Sequence, residues 1–158
     1  MDADIIEEEE LFRAIDRSAA RVLVIGRRAM VAIGIPVLTA DYDLWVHRDD
    51  AEALNAALER LGLIPSHSVD AARARGRYVL ENGEHVDVLV ARASQTKLGE
   101  MLAFDDVWAR RRELVYAPGI RIAVPTIDDL IKTKQWALRD KDVADIRLLE
   151  AKRLAGDP

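Results

Sequence analysis

Cysteine is absent from these 158 residues, so disulfides and thiolate metal sites are excluded. Apolar runs long enough to span a bilayer are also missing, which predicts no membrane partner. The chain opens on acidic residues and has no basic leader followed by an apolar stretch. That pattern predicts no secretory signal and a cytoplasmic location. An excess of positive charge is lacking too. A net charge of −5 argues against a general nucleic-acid-coating protein, yet it leaves room for a local basic groove, because steering depends on how charge is distributed. What is present is ordinary globular material: 50% apolar and 32% charged residues, in a chain long enough for one hydrophobic core. No repeat, low-complexity linker or internal boundary interrupts it. A single domain over 1–158 is expected, with a core at about 20–125 and C-terminal helices at about 126–155.

Apolar spacing divides the chain into elements. Residues 4–19 read as an amphipathic helix burying Ile5, Leu11, Phe12 and Ile15, with Glu7 to Glu10 as its solvated first turn. Arg21 to Ile25 is a β-branched run, Gly26 opens a helical segment over 27–34, and Pro36 blocks its continuation. Asp41 to His47 is a second strand, and Asp49-Asp50 caps a helix from Ala51 to Leu61 that stops at Gly62. Asn82-Gly83 signals a hairpin between 75–81 and 84–91. A two-residue turn there would pair Glu81 with Glu84, Val79 with Val86 and Tyr78 with Asp87. Helical turns are expected over 96–111, then a hairpin around Pro118-Gly119 joining 114–116 to 121–124. Thr126 and Asp129 form a capping-box pattern at the head of a helix reaching about Leu138, and another helix covers Lys141 to Leu154. Hairpins mixed with helices, and no strict βαβ alternation, predict an α+β domain with a small mixed sheet.

The stretch Thr39 to Val46 carries the strongest chemical signal. On a strand, Asp41 and Asp43 leave from one face, and two carboxylates held side by side repel unless a cation lies between them. Mg²⁺ commonly takes one or two carboxylates plus substrate phosphates. The pair could also line the wet face of an edge strand, but Trp45 shares that face and points to a pocket wall or partial burial. Asp87 sits in the otherwise apolar run Val86 to Val90, where a carboxylate must be paired or bound. The choice lies between a metal and Tyr78 across the hairpin.

Gly26 between strand and helix, Asp41-x-Asp43, a later Asp87 and the Lys134 to Asp145 stretch follow one another in an order that resembles the nucleotidyltransferase superfamily, the fold shared with DNA polymerase β. Thr39 before the pair, with Lys134 and Lys141-Asp142-Val-Ala-Asp145 near the end, is similar to the AbiEii-like toxin branch and its uncharacterised relatives. The resemblance spans about residues 20–150. It implies a Mg²⁺-dependent enzyme with a two-metal site that moves an NMP from an NTP to a hydroxyl. The acceptor would be RNA (tRNA) or protein, and the setting a toxin–antitoxin system with a cognate toxin or antitoxin as partner. It assigns catalysis and metal binding to Asp41, Asp43 and Asp87, and nucleotide binding to Gly26, Arg27, Thr39, Lys134 and Lys141.

This sequence departs from the pattern at Arg27, where the glycine turn normally has a second small residue, and at Val37-Leu38, where an arginine is usual. An arginine at 27 would either crowd a triphosphate or grip it bidentately. Crowding would favour the alternative reading, a catalytically degenerate member acting as a protein-binding module. Lys134, Lys141 and Asp145 share one face if their helix is continuous, and Lys141–Asp145 would then pair along it. Arg73, Arg75 and Arg77 would share a face on a strand, as a solvated stripe or an RNA-facing one. The three histidines have no ligand spacing, and the three tryptophans suit packing better than base stacking.

Overall fold

The computed structural model describes residues 7–156. Its first helix, α1 (Glu8–Arg17), buries Leu11, Phe12 and Ile15 as the spacing predicts; Ile5 lies outside the described residues. The acidic first turn is not simply solvated. Glu8 accepts hydrogen bonds from Arg28 at 2.9 Å and from the Tyr116 hydroxyl at 2.7 Å.

There follow β1 (Val22–Ile25), α2 (Gly26–Ala32), β2 (Tyr42–Val46), a 3-10 turn (Arg48–Asp50) and α3 (Ala51–Glu59). The expected aspartate cap of α3 is absent: His47 accepts from the Asp49 amide, and Asp50 is drawn to Arg21 at 2.7 Å. Next come β3 (Ile64–Pro65), α4 (Val69–Arg75), β4 (Arg77–Glu81), β5 (His85–Leu89), β6 (Ala93–Gln95) and β7 (Met101–Ala103). The chain continues through α5 (Phe104–Arg110), β8 (Arg112–Ala117), β9 (Ile120–Val124), α6 (Ile127–Lys134) and α7 (Asp140–Leu154). Seven strands form one mixed sheet in the order β3-β4-β5-β2-β1-β9-β8, with β6 and β7 as a separate ribbon. The α+β expectation holds. No helix among the described residues is long and apolar enough to cross a membrane.

The sheet has two unlike faces because its strands alternate. Val22, Val24, Leu44, Val46, Val86 and Val88 belong to the larger core, which also holds Leu11, Met30 and Leu54 from the helices. Leu23, Ile25 and Trp45 belong to a smaller cluster with Leu102, Phe104 and Val107. Asp43 and Asp87, on the interior strands β2 and β5, emerge on this second face.

Four local expectations are corrected. The β4–β5 hairpin slips by one residue: Glu81 pairs with His85, Leu80 with Val86, Val79 with Asp87 and Tyr78 with Val88, across a three-residue loop. Burial decides it, because only this register brings Tyr78, Leu80, Val86 and Val88 to the same core, and a slip of one would reverse a strand's faces. Residues 96–103 are not helical; they form the turn and second strand of the β6–β7 ribbon, and helix begins only at Phe104. Arg73 and Arg75 end α4 while Arg77 opens β4, so the three arginines share no strand. Finally, α6 stops at Lys134 and not at about Leu138, which has φ +52. Lys134 and Lys141 lie on the two separate helices expected, so the continuous helix that would put them on one face does not form. The hairpin around Pro118-Gly119 matches the sequence reading. Of the Thr126–Asp129 capping box, the Thr126 hydroxyl accepts from the Asp129 amide at 3.1 Å, while the Asp129 carboxylate accepts from Arg110 at 3.0 Å.

Candidate active site

Asp43 is fixed by the register of three strands. It lies opposite Ile25 on antiparallel β1 and opposite Asp87 on parallel β5, so both carboxylates stand in one row across the sheet. Burial, the negative charges of Asp87 and Asp41, and the opposing pull of Lys134 and Lys141 together set the Asp43 carboxyl at about 6, well above its ordinary value. Asp87 is not a buried lone carboxylate as the apolar run suggests. Its side chain is 45% exposed, with the nearest His85 nitrogen 4.0 Å away. Tyr78 does not pair with it either, since the Tyr78 hydroxyl donates to Asn55 at 2.5 Å. Asp87 is therefore open to the cleft.

Gly26 touches this row for a reason the sequence does not reveal. Its φ is +69, and a Cβ there would fall 2.6 Å from Asp43 Oδ2. The absent side chain makes room for the carboxylate itself. Asp41 lies just ahead of β2 and is exposed. Its amide donates to Thr39 Oγ1 at 3.1 Å, and the Thr39 and Asp41 carbonyls accept from Arg28. Thr39 thus shapes the turn that delivers Asp41.

Arg27 points away from the row. Its guanidinium donates to Asp145 at 3.1–3.3 Å and to the Leu38 carbonyl at 3.1 Å. Asp145, 1% exposed, also accepts from Lys134 at 2.9 Å. Burial alone would raise the Asp145 carboxyl, but the hydrogen bonds from Arg27 and Lys134 outweigh it and hold the group below the usual carboxylate range. This bridge ties α2 to both C-terminal helices. It replaces the expected Lys141–Asp145 pair, and Lys141 is exposed, acting on Asp43 through its charge only.

The carboxylate row floors a cleft of about 700 Å³. Gly26, Asp43, Asp87 and Lys134 line it; Arg27, Thr39, Asp41 and Lys141 do not. Sequence reading left several further lining residues out of the site. Ser66 and His67 come from the loop before α4, Arg75 and Arg77 from the α4–β4 junction, Trp136 and Arg139 from the α6–α7 connection, and Asp142 from the first turn of α7. The alternating arginines were a visible signal, whereas Ser66 and His67 gave none.

Among the described residues, no three acidic or histidine side chains are gathered into a ready-made metal cage. Two hard carboxylates in register still fit a divalent ion that takes one or two carboxylates and completes its shell from substrate phosphates and water. Burial first, and then the charges of Asp87 and Asp41, raise the Asp43 carboxyl, and a bound cation would offset that cost by favouring its ionised form.

No protein-family model matches the chain, and no curated protein sequence does. Solved structures do. The antibiotic-resistance factor ANT(2'')-Ia superposes with TM-score 0.64 at 15% identity, over 94% of this chain and 83% of that one. The lincosamide antibiotic adenylyltransferase LnuA, lincomycin-bound, gives TM-score 0.60 at 16% identity, over 92% of this chain and 97% of that one. A candidate nucleotidyltransferase from Thermotoga maritima gives 0.59 at 14% identity, over 88% and 87%. The chain has the nucleotidyltransferase fold.

Proposed function

We propose that this protein transfers an NMP from an NTP to an acceptor hydroxyl, and that Asp43 and Asp87 carry the reaction. The observation behind this reading is their register pairing beside a glycine that makes room for Asp43, at the floor of an open cleft. ANT(2'')-Ia, described in complex with adenylyl-2''-tobramycin, supports nucleotidyl transfer as a chemistry this fold performs. Mg²⁺ held by Asp43 and Asp87, with Asp41 beside them, would supply charge neutralisation for the triphosphate, in the two-metal arrangement or with one ion.

The chain's own residues divide the remaining work. Asp87, half-exposed, is placed to take the proton of the attacking hydroxyl. That oxygen then bonds to the α-phosphorus while the bond to pyrophosphate breaks. Lys134 lines the cleft and offers positive charge to the leaving pyrophosphate, although Asp145 shares it. Gly26 keeps the Asp43 carboxylate in the row. Arg27 and Thr39 act on the scaffold, not on the nucleotide.

The AbiEii-like resemblance suggests RNA or protein as acceptor and a cognate partner gene. The alternative of a degenerate binding module depended on Arg27 filling the glycine turn; its side chain goes instead to Asp145 and the Leu38 carbonyl. The test is label transfer from each α-labelled NTP to total RNA and lysate protein, with Mg²⁺. Wild type should label a product. Asp43→Asn and Asp87→Asn should each reduce the rate about 100-fold or more, the scale of removing a positioned acid–base or charge-stabilising group. Equal labelling by wild type and both variants would sink the reading.

A further inference from the structure

Across the sheet, the cleft floor runs from Gly26 on the β1 side through Asp43 and Asp87 to β4. If Asp87 receives the acceptor's proton, the acceptor lies on the β4 side of the row. That wall is built at the α4–β4 junction, where Arg75 and Arg77 flank Gly76 and both line the cleft. Arg77 shares the face of Val79, and Val79 is in register with Asp87.

These two guanidiniums differ from their neighbours. Arg73 bonds the Arg48 carbonyl and approaches Glu52, and Arg139, on the opposite wall, is tied to Asp142 at 3.0 Å. Arg75 and Arg77 are exposed and, among the described residues, have no carboxylate partner. The backbone between them is nevertheless pinned. Gly76, at φ +84, donates to the Ala72 carbonyl, and its own carbonyl accepts from the Val90 and Ala91 amides at 2.8 and 3.1 Å. A fixed turn thus presents two uncompensated positive groups to the cleft beside Asp87.

We propose that Arg75 and Arg77 form a clamp for the acceptor's phosphates, so that the acceptor is single-stranded RNA presenting a terminal hydroxyl. This rests on the nucleotidyl-transfer reading for its orientation. Two guanidiniums suit phosphate oxygens, which they can bind bidentately, and they repel a cationic amino sugar of the tobramycin type. Placing the clamp one strand beyond Asp87 lets a backbone phosphate be held while the terminal hydroxyl reaches the carboxylate.

The test separates binding from transfer. A fluorescently labelled oligoribonucleotide is titrated against the full chain by anisotropy over a range of salt. Arg75→Gln/Arg77→Gln should bind about tenfold more weakly, and its salt slope should fall by about 1.4, since each single-strand phosphate contact contributes about 0.7. Arg75→Lys/Arg77→Lys should recover much of the affinity, and binding of a fluorescent NTP should be unchanged in both. Equal RNA affinity in wild type and the Gln variant would overturn the proposal. So would failure of wild type to bind the oligonucleotide, or tobramycin proving the better competitor. If RNA binding depends on the two arginines yet no NTP yields label transfer, the clamp stands and the transferase reading fails.

Discussion

Gly26 and Asp43 meet at a distance that leaves no space for a side chain on the first: a Cβ at 26 would stand 2.6 Å from Asp43 Oδ2. Glycine is usually explained there by the approach of a ligand's phosphates. Here the protein's own carboxylate occupies the space.

Gly26→Ala is therefore expected to act twice. An L-residue at φ +69 costs about 1–2 kcal/mol, before any displacement of Asp43. Urea unfolding should show that loss, and Mg²⁺ should raise the melting temperature of wild type but not of the variant. A variant as stable as wild type with an intact Mg²⁺ response would show that the contact constrains nothing.

The Asp43 carboxyl sits at about 6, against an ordinary value of 3.8. A folded-state value above the unfolded one means that ionisation costs stability. The cost is fully present above about pH 6 and absent below about pH 4. Asp43→Asn should accordingly melt higher than wild type at pH 8 without divalent metal, and the gap should close as the pH falls through that window. Saturating Mg²⁺ should reverse the order at pH 8, because only wild type has the carboxylate pair. Calorimetry at three pH values checks both signs.

Asp145 behaves in the opposite sense. Its carboxyl is held low, so the stability it contributes is present above the ordinary carboxylate value and lost as pH falls through the depressed one. Asp145→Ala leaves Lys134 buried without its partner and should cost about 3 kcal/mol at pH 7, toward the lower end because Arg27 keeps some solvent access. The loss should shrink in acid. A uniform loss across pH would mean that packing, not charge, holds the three elements together.

Strand chemistry was the legible part of this chain. The Asp-x-Asp spacing ahead of an apolar run, and the apolar run Val86 to Val90 after the Asn82-Gly83 turn, placed the carboxylates on strands, and the fold puts Asp43 and Asp87 in register. Hairpin register was not legible, because Asn82-Gly83 fits both a two-residue and a three-residue loop and only the shared core chooses between them. The helix expected over 96–111 relied in part on the spacing of Leu98 and Met101, which are 63% and 64% exposed and so mark no buried face. Arg27 was read as a phosphate problem because its partner is 118 residues away. No local pattern encodes that contact.

The same distance has a consequence for how the molecule comes into being. Leu23 on β1 pairs with Ala123 on β9, and Arg27 closes on Asp145. Contacts that far apart in sequence slow folding, because a long loop must be ordered before they can form. During synthesis, at about 5–20 residues per second, the carboxylate row has its Asp43 and Asp87 strands early but waits several seconds for its C-terminal brace. Through that interval the emerging chain carries closely spaced negative charges with no Lys134 to offset them. The cleft is thus complete only once α6 and α7 have emerged and docked.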